Sequence, residues 1–163
     1  MLRSAYISIA ALSVACLVTS AAHANAKAAS PEGYWKTVGD DGGRPQSVVK
    51  IWVEDGKAYG RIVKLFRKPD EPRDPVCKKC EGPKKNKRVV GLTVLEGLER
   101  EDGEWTGGSI LDPANGETYN CFIEVLDGGE KLKVRGYVGF SLFGRTQHWH
   151  RVDKPENEIE IIK

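Results

Sequence analysis

Few residues in this chain have the types and spacing that chemistry requires. Cys77 and Cys80 form a Cys-x-x-Cys set among lysines and prolines. Two thiols at that spacing can make a small disulfide, half of a zinc site, or a redox pair. A redox enzyme needs a strand-to-helix setting that lowers the first thiol's pKa, and this run supplies none, although its lysines favour a thiolate. Zinc needs two further ligands, and no second Cys-x-x-Cys exists. A disulfide that stiffens a long loop is the favoured reading, with metal and redox roles as alternatives. Cys121 alternates with Tyr119, Ile123 and Val125, which suits a buried free thiol; pairing with Cys77 or Cys80 would instead staple the loop to the wall. His148 and His150 share one strand face but lack a third ligand, so they are expected to be ordinary surface histidines. Ser109 and Ser141 have no base in view. Asp112, just before Pro113, reads as a turn-former rather than as a carboxylate partner of Glu117. No catalytic residue, metal site or cofactor is expected.

Around these residues the chain is punctuated rather than helical. Eighteen glycines and eight prolines in 163 residues favour short strands and many turns. Gly33–Val38 is the first strand candidate. Ser47–Glu54 and Lys57–Phe66 flank Asp55-Gly56, a strong hairpin signal. Residues 89–100 are ambiguous, with strand preferred over helix because Gly91 and Gly97 weaken a helix. Trp105–Leu111, Thr118–Leu126, Lys131–Val138 and Arg145–Val152 complete the set. In Lys131–Val138, Leu132, Val134, Gly136 and Val138 alternate with polar or aromatic partners, the clearest period of two in the chain. Eight strands joined mainly by tight hairpins predict an all-β fold, an antiparallel up-and-down barrel of eight strands with little or no helix.

Residues 1–24 carry one early charge, Arg3, an apolar run, and Ala22-x-Ala24 at the end. This reads as a secretory signal peptide cleaved after Ala24, giving a periplasmic protein in an oxidising compartment. Lipoprotein anchoring through Cys16 fits less well, because the preceding leucine stands one place too far away. Residues 25–32 are expected to be a flexible lead-in, 33–152 a single barrel domain, and 153–163 a polar tail. No segment of the mature chain is long and apolar enough for a transmembrane helix. Losing Arg3 lowers the formal charge from +2 to +1, which argues against a nucleic-acid partner. The distribution is uneven, however. Residues 67–88 hold nine Lys or Arg against four acids, and this proline-rich run is expected to be a surface loop that buries nothing.

Gly33-x-Trp35 on the first strand and Arg151 on the last resemble the closure signature of lipocalin and fatty-acid-binding barrels, in which an arginine packs over the tryptophan. A broader set covers about residues 32–152. It comprises Gly33-x-Trp35, Cys77-x-x-Cys80-x-Gly82, Leu111-Asp112-Pro113-x-Asn115-Gly116-x-Thr118-Tyr119, Arg135-Gly136-Tyr137 and Gly144-Arg145-x-x-x-Trp149-x-Arg151. It resembles a bacterial family of small exported proteins with a domain of unknown function. The resemblance implies an envelope location and a lipocalin-like barrel, and it carries no catalytic residues.

A barrel of this size either fills with side chains or holds one small ligand. Trp52, Tyr59, Phe66, Trp105, Tyr119, Tyr137 and Phe140 could line such a cavity, with core packing favoured for most. The ligand-binding candidates are Trp105, Tyr119, Arg135, Tyr137, Phe140 and Phe143. Phe140-Ser141-Leu142-Phe143, bounded by glycines, should be buried, grip a partner or touch lipid. The function expected is binding of a small or lipidic molecule by a monomer, with the basic loop biasing it toward an anionic one. The alternative is a packed module that docks an envelope protein through residues 139–144 and the basic loop 67–88.

Overall fold

The computed structural model describes residues 30–39 and 43–156; the expected signal peptide, most of the lead-in and the end of the tail lie outside them. Eight strands run in chain order: β1 (Gly33–Val38), β2 (Pro45–Glu54), β3 (Lys57–Leu65), β4 (Thr93–Glu101), β5 (Glu104–Leu111), β6 (Thr118–Leu126), β7 (Lys131–Tyr137) and β8 (Gly144–Val152). Each pairs antiparallel with the next, and β1 pairs with β8, so the sheet closes into a barrel. Asp55 and Gly56 both take positive φ, 51° and 76°, as a two-residue turn matched to strand twist requires. Two short 3-10 turns, Gly82–Lys84 and Asp127–Gly129, are the only helical segments among the described residues.

Closure rests on a small set of groups. Trp35 stands opposite Arg151 in the β1–β8 ladder and is fully buried. The Arg151 guanidinium carbon lies 4.2 Å from the Trp35 ring centroid. Arg151 Nη1 donates to the Glu32 carbonyl at 2.8 Å, Nη2 to the Ser30 carbonyl at 3.3 Å, and Nε to the Gly129 carbonyl. Trp35 Nε1 donates to the Pro31 carbonyl at 2.7 Å. The Gly33 requirement follows: a Cβ there would collide with Arg151 Nη1, and its φ is 133°. One cation thus ties the lead-in, the first strand, the last strand and the β6–β7 turn.

Antiparallel strands in sequential order put alternate connections at opposite ends. The short turns at 55–56, 102–103 and 127–130 close one end, where Trp35, Ile51, Leu98, Ile123 and Leu132 fill the interior almost without exposure. The 66–92 connection, the 112–117 turn and the 138–143 corner stand at the other end, with Gly39 and Arg44 at the adjoining ends of β1 and β2.

Strand, the preferred reading of residues 89–100, holds for β4 from Thr93 onward; before it comes a turn to Leu92, where Gly91 N and Ile62 N exchange bonds with the Ile62 and Leu92 carbonyls, at 2.8 and 3.1 Å, and extend the ladder. Two expectations are corrected. The 67–88 loop does bury side chains: Cys77 and Cys80 are 1% and 0% exposed, folded under by a Val76–Arg88 bridge and by Cys77 N–Lys87 O and Asn86 N–Cys77 O bonds. Val138 lies beyond β7 and is 65% exposed rather than inward.

Trp35→Ala should cost about 3–5 kcal/mol in urea unfolding, the usual range for a buried aromatic, and Arg151→Ala about 1–3 kcal/mol through stranded carbonyls and the lost ring contact. Unchanged midpoints in both variants would contradict the closure lock.

Candidate ligand cavity in the open half of the barrel

The side chains that fill the closed half give out midway along the strands. Above Val49, Val134 and Trp149 a cavity of about 500 Å3 opens toward the 112–117 turn and the 138–143 corner. Strand alternation supplies much of its wall, with Ile62, Ile110 and Tyr119 on the inward face, and Val94 and Leu111 border it as well. Gly136 helps keep it open: a Cβ there would already stand 3.3 Å from Ile110 Cγ2. A small neutral polar set faces the same space. The Thr37 and Ser47 hydroxyls lie 2.8 Å apart, Ser47 N donates to Thr37 Oγ1 at 3.1 Å, and Trp149 Nε1 donates to Gln147 Oε1 at 3.0 Å. Among the described lining residues only Asp112 and Arg145 carry charge. Asp112 Oδ1 accepts from Ala114 N at 2.9 Å, the turn-forming role expected of it.

Of the ligand-binding candidates, Tyr119, Tyr137 and Phe143 border the cavity. Tyr119 OH accepts from Asn115 Nδ2 at 2.8 Å, and the Tyr137 ring packs 6.4 Å from Phe122. Trp105, Arg135 and Phe140 do not line it. Trp105 sits opposite Ile123 and packs on the core of the closed half. Arg135 instead grips the corner, through Nε and Nη2 to the Ser141 carbonyl at 2.8 and 2.5 Å, Nη2 to the Leu142 carbonyl at 3.3 Å, and Nη1 to Thr146 Oγ1 at 2.8 Å. Phe140 is 80% exposed. Trp52 and Tyr59 stack on each other at 5.7 Å, with Arg61 5.2 Å from the Trp52 ring. Thr37, Ser47 and Gln147 were not singled out by sequence reasoning. Two of them were available by parity, since Thr37 shares a face with Trp35, and Gln147 with Trp149 and Arg151.

Cys77 and Cys80 are joined in a disulfide. Cys77 Sγ lies 3.5 Å from the Pro113 carbonyl oxygen, and a Cβ on Gly116 would collide with the Lys79 carbonyl. The bridged loop therefore buttresses the 112–117 turn, which contributes Asp112, Pro113 and Ala114 to the cavity lip. Cys121 is a free thiol buried in the barrel, and desolvation pushes its pKa from 9.0 up to about 12. His148 and His150 are exposed on β8, opposite Lys133 and Lys131 of β7. No group of three His, Cys, Asp or Glu placed to hold a metal occurs among the described residues.

A closed, eight-stranded, up-and-down barrel with one packed end and one open end is a lipocalin-like barrel. The family described as "Uncharacterized protein conserved in bacteria (DUF2147)" matches residues 33–151, and the chain belongs to that family. Among solved structures it is similar to HP1028 of Helicobacter pylori, described as belonging to the lipocalin family. The TM-score is 0.64 at 20% identity, over 76% of this chain and 84% of that one. No curated protein matches the sequence.

The thiol chemistry yields a pH prediction. The folded state holds the Cys121 proton more tightly than the unfolded chain, so this contribution is complete below pH 9.0 and is lost as pH rises toward about 12. Stability should fall by up to about 1.4 kcal/mol per pH unit in that window, and Cys121→Ala should remove that component of the slope. Labelling of the Cys121 thiol only after unfolding is the companion result; rapid labelling of Cys121 in the native protein would contradict it.

Proposed function

We propose that this protein binds one small molecule with a mainly apolar body, held in the open half of the barrel. The observation that carries the reading is the cavity of about 500 Å3 above Val49, Val134 and Trp149. Ligand sites typically enclose about 300–1,000 Å3, with apolar walls and a few placed polar groups. Thr37, Ser47 and Gln147 are neutral, which suits a hydroxyl, ester or amide within an otherwise apolar ligand. Arg145 at the mouth and the basic 67–88 run favour an anionic end group there. Binding rather than catalysis is the role proposed, in an exported protein resident in the periplasm and monomeric. Native protein isolated from the periplasmic fraction is then expected to begin at Asn25; a chain that retains Met1 would contradict the export.

A second reading is an interaction module that docks an envelope protein, and the exposed Phe140, Leu142 and Phe143 favour it. A naphthylamine probe separates the two. Its fluorescence should rise on mixing, with quenching of tryptophan emission as it settles on Trp149. Ile110→Trp, which fills the wall, should weaken uptake at least about tenfold, the loss of roughly 1.4 kcal/mol, while leaving the thermal midpoint near its starting value. No uptake by the unsubstituted protein, or equal uptake by Ile110→Trp, would remove the cavity reading and leave the docking module.

A further inference from the structure

The open end carries two surfaces that the cavity does not explain. Phe140 is 80% exposed, Leu142 85% and Phe143 75%, with Val138 beside them at 65%. These are the large apolar side chains a folded domain most readily hides, and here they stand together on one corner. The corner is held in shape by the Arg135 guanidinium on the Ser141 and Leu142 carbonyls, by Val138 N to the Phe143 carbonyl at 3.1 Å, and by Phe143 N to the Phe140 carbonyl at 3.1 Å. Its apolar side chains are presented to solvent by a hydrogen-bonded scaffold.

Strand order places the second surface. In a closed barrel ordered β1 to β8, the β3–β4 and β7–β8 connections emerge at the same end, four strands apart either way round. The basic 67–88 loop and the apolar corner therefore flank the mouth from opposite sides. Within that loop Arg67 pairs with Glu71, Arg88 with Asp74, and Lys84 with Glu96. Lys68, Arg73, Lys78, Lys79, Lys85 and Lys87 are exposed and make no ion pair among the described residues. At the closed end each turn begins with an aspartate, Asp55, Asp102 and Asp127. The charge of the molecule is thus divided along the barrel axis, basic at the mouth.

We propose that the mouth docks on an anionic phospholipid bilayer, with Phe140 and Leu142 entering the headgroup–acyl boundary and the unpaired lysines of the 67–88 loop lying over the phosphates. Apolar insertion and basic attraction are the two contributions that hold peripheral proteins on such surfaces. Val138 and Phe143 belong to both the corner and the cavity lining, so docking would set the cavity mouth against the lipid. The inference goes beyond the ligand reading and does not need an occupied cavity.

The test is co-sedimentation of the protein with vesicles of phosphatidylglycerol and phosphatidylethanolamine, against vesicles of phosphatidylcholine. Partitioning should be at least about tenfold stronger on the anionic vesicles and should weaken steeply with added salt. Phe140→Ser with Leu142→Ser, and separately Lys78→Glu with Lys85→Glu, should each reduce it about tenfold or more. All four side chains are exposed, so thermal midpoints should stay put; if one pair misfolds, the other still decides. No binding to anionic vesicles, equal binding to phosphatidylcholine, or indifference to both pairs would overturn the proposal. So would a stable dimer in sedimentation velocity that Phe140→Ser with Leu142→Ser dissolves, because the corner would then belong to a second copy. Neither substituted pair lines the cavity, so failure here is distinguishable from failure of probe uptake.

Discussion

The contact between Arg151 and Trp35 is the constraint on which the remaining architecture depends. An up-and-down sheet of eight strands has two edges with unmet backbone groups, and only closure removes both. The β1–β8 ladder is short, with three residue pairs, so a side-chain lock has much to contribute. Arg151 supplies it by donating to three carbonyls from the lead-in and the β6–β7 turn while its plane covers the indole. A lysine could not replace that fork, since it lacks the planar set of donors. Gly33 exists to let the fork pass.

A closed wall makes it feasible for one half of the barrel to be solid and the other hollow. In the solid half Trp35, Leu98, Ile123 and Leu132 fill the section, and Cys121 occupies a position where a thiol acts as a small apolar group. Trp149 and Val49 mark the boundary with the open half. Beyond them Gly136 and the compact Thr37–Ser47 pair replace bulky filler, and space results. The disulfide-bridged loop then serves the open half from outside, by backing the 112–117 lip rather than by entering the cavity. Rigidity at one end and room at the other are consequences of the same alternating pattern.

Much of the wall was legible in the sequence because hairpin chemistry is local. Asp55-Gly56 fixes a turn whatever the rest of the chain does, and the alternation in Lys131–Tyr137 declares its inward face. The lock was legible too, from Gly33-x-Trp35 and Arg151. Three features were not. Outward aromatics such as Trp52 and Tyr59 obey the same period of two as inward ones, and only the register shows that they stack on the exterior. The 67–88 loop has no apolar period, and what it buries is a disulfide against a neighbouring turn, a contact that spacing cannot announce. Which end is hollow depends on where large inward residues stop, and that requires all eight strands at once. For the same reason Arg135 could be expected at a ligand, whereas it braces the corner whose exposed phenylalanines give the mouth its character.

Whether the open half-barrel takes a small, mainly apolar molecule is read most directly, with no assumption about the ligand, by native mass spectrometry of the protein isolated from its host without detergent. A population heavier than the bare chain by one discrete small molecule is expected, released by mild denaturation and missing from the Ile110→Trp variant. An adduct retained equally by that variant, or the bare mass alone from protein that also takes up no apolar probe, would contradict it.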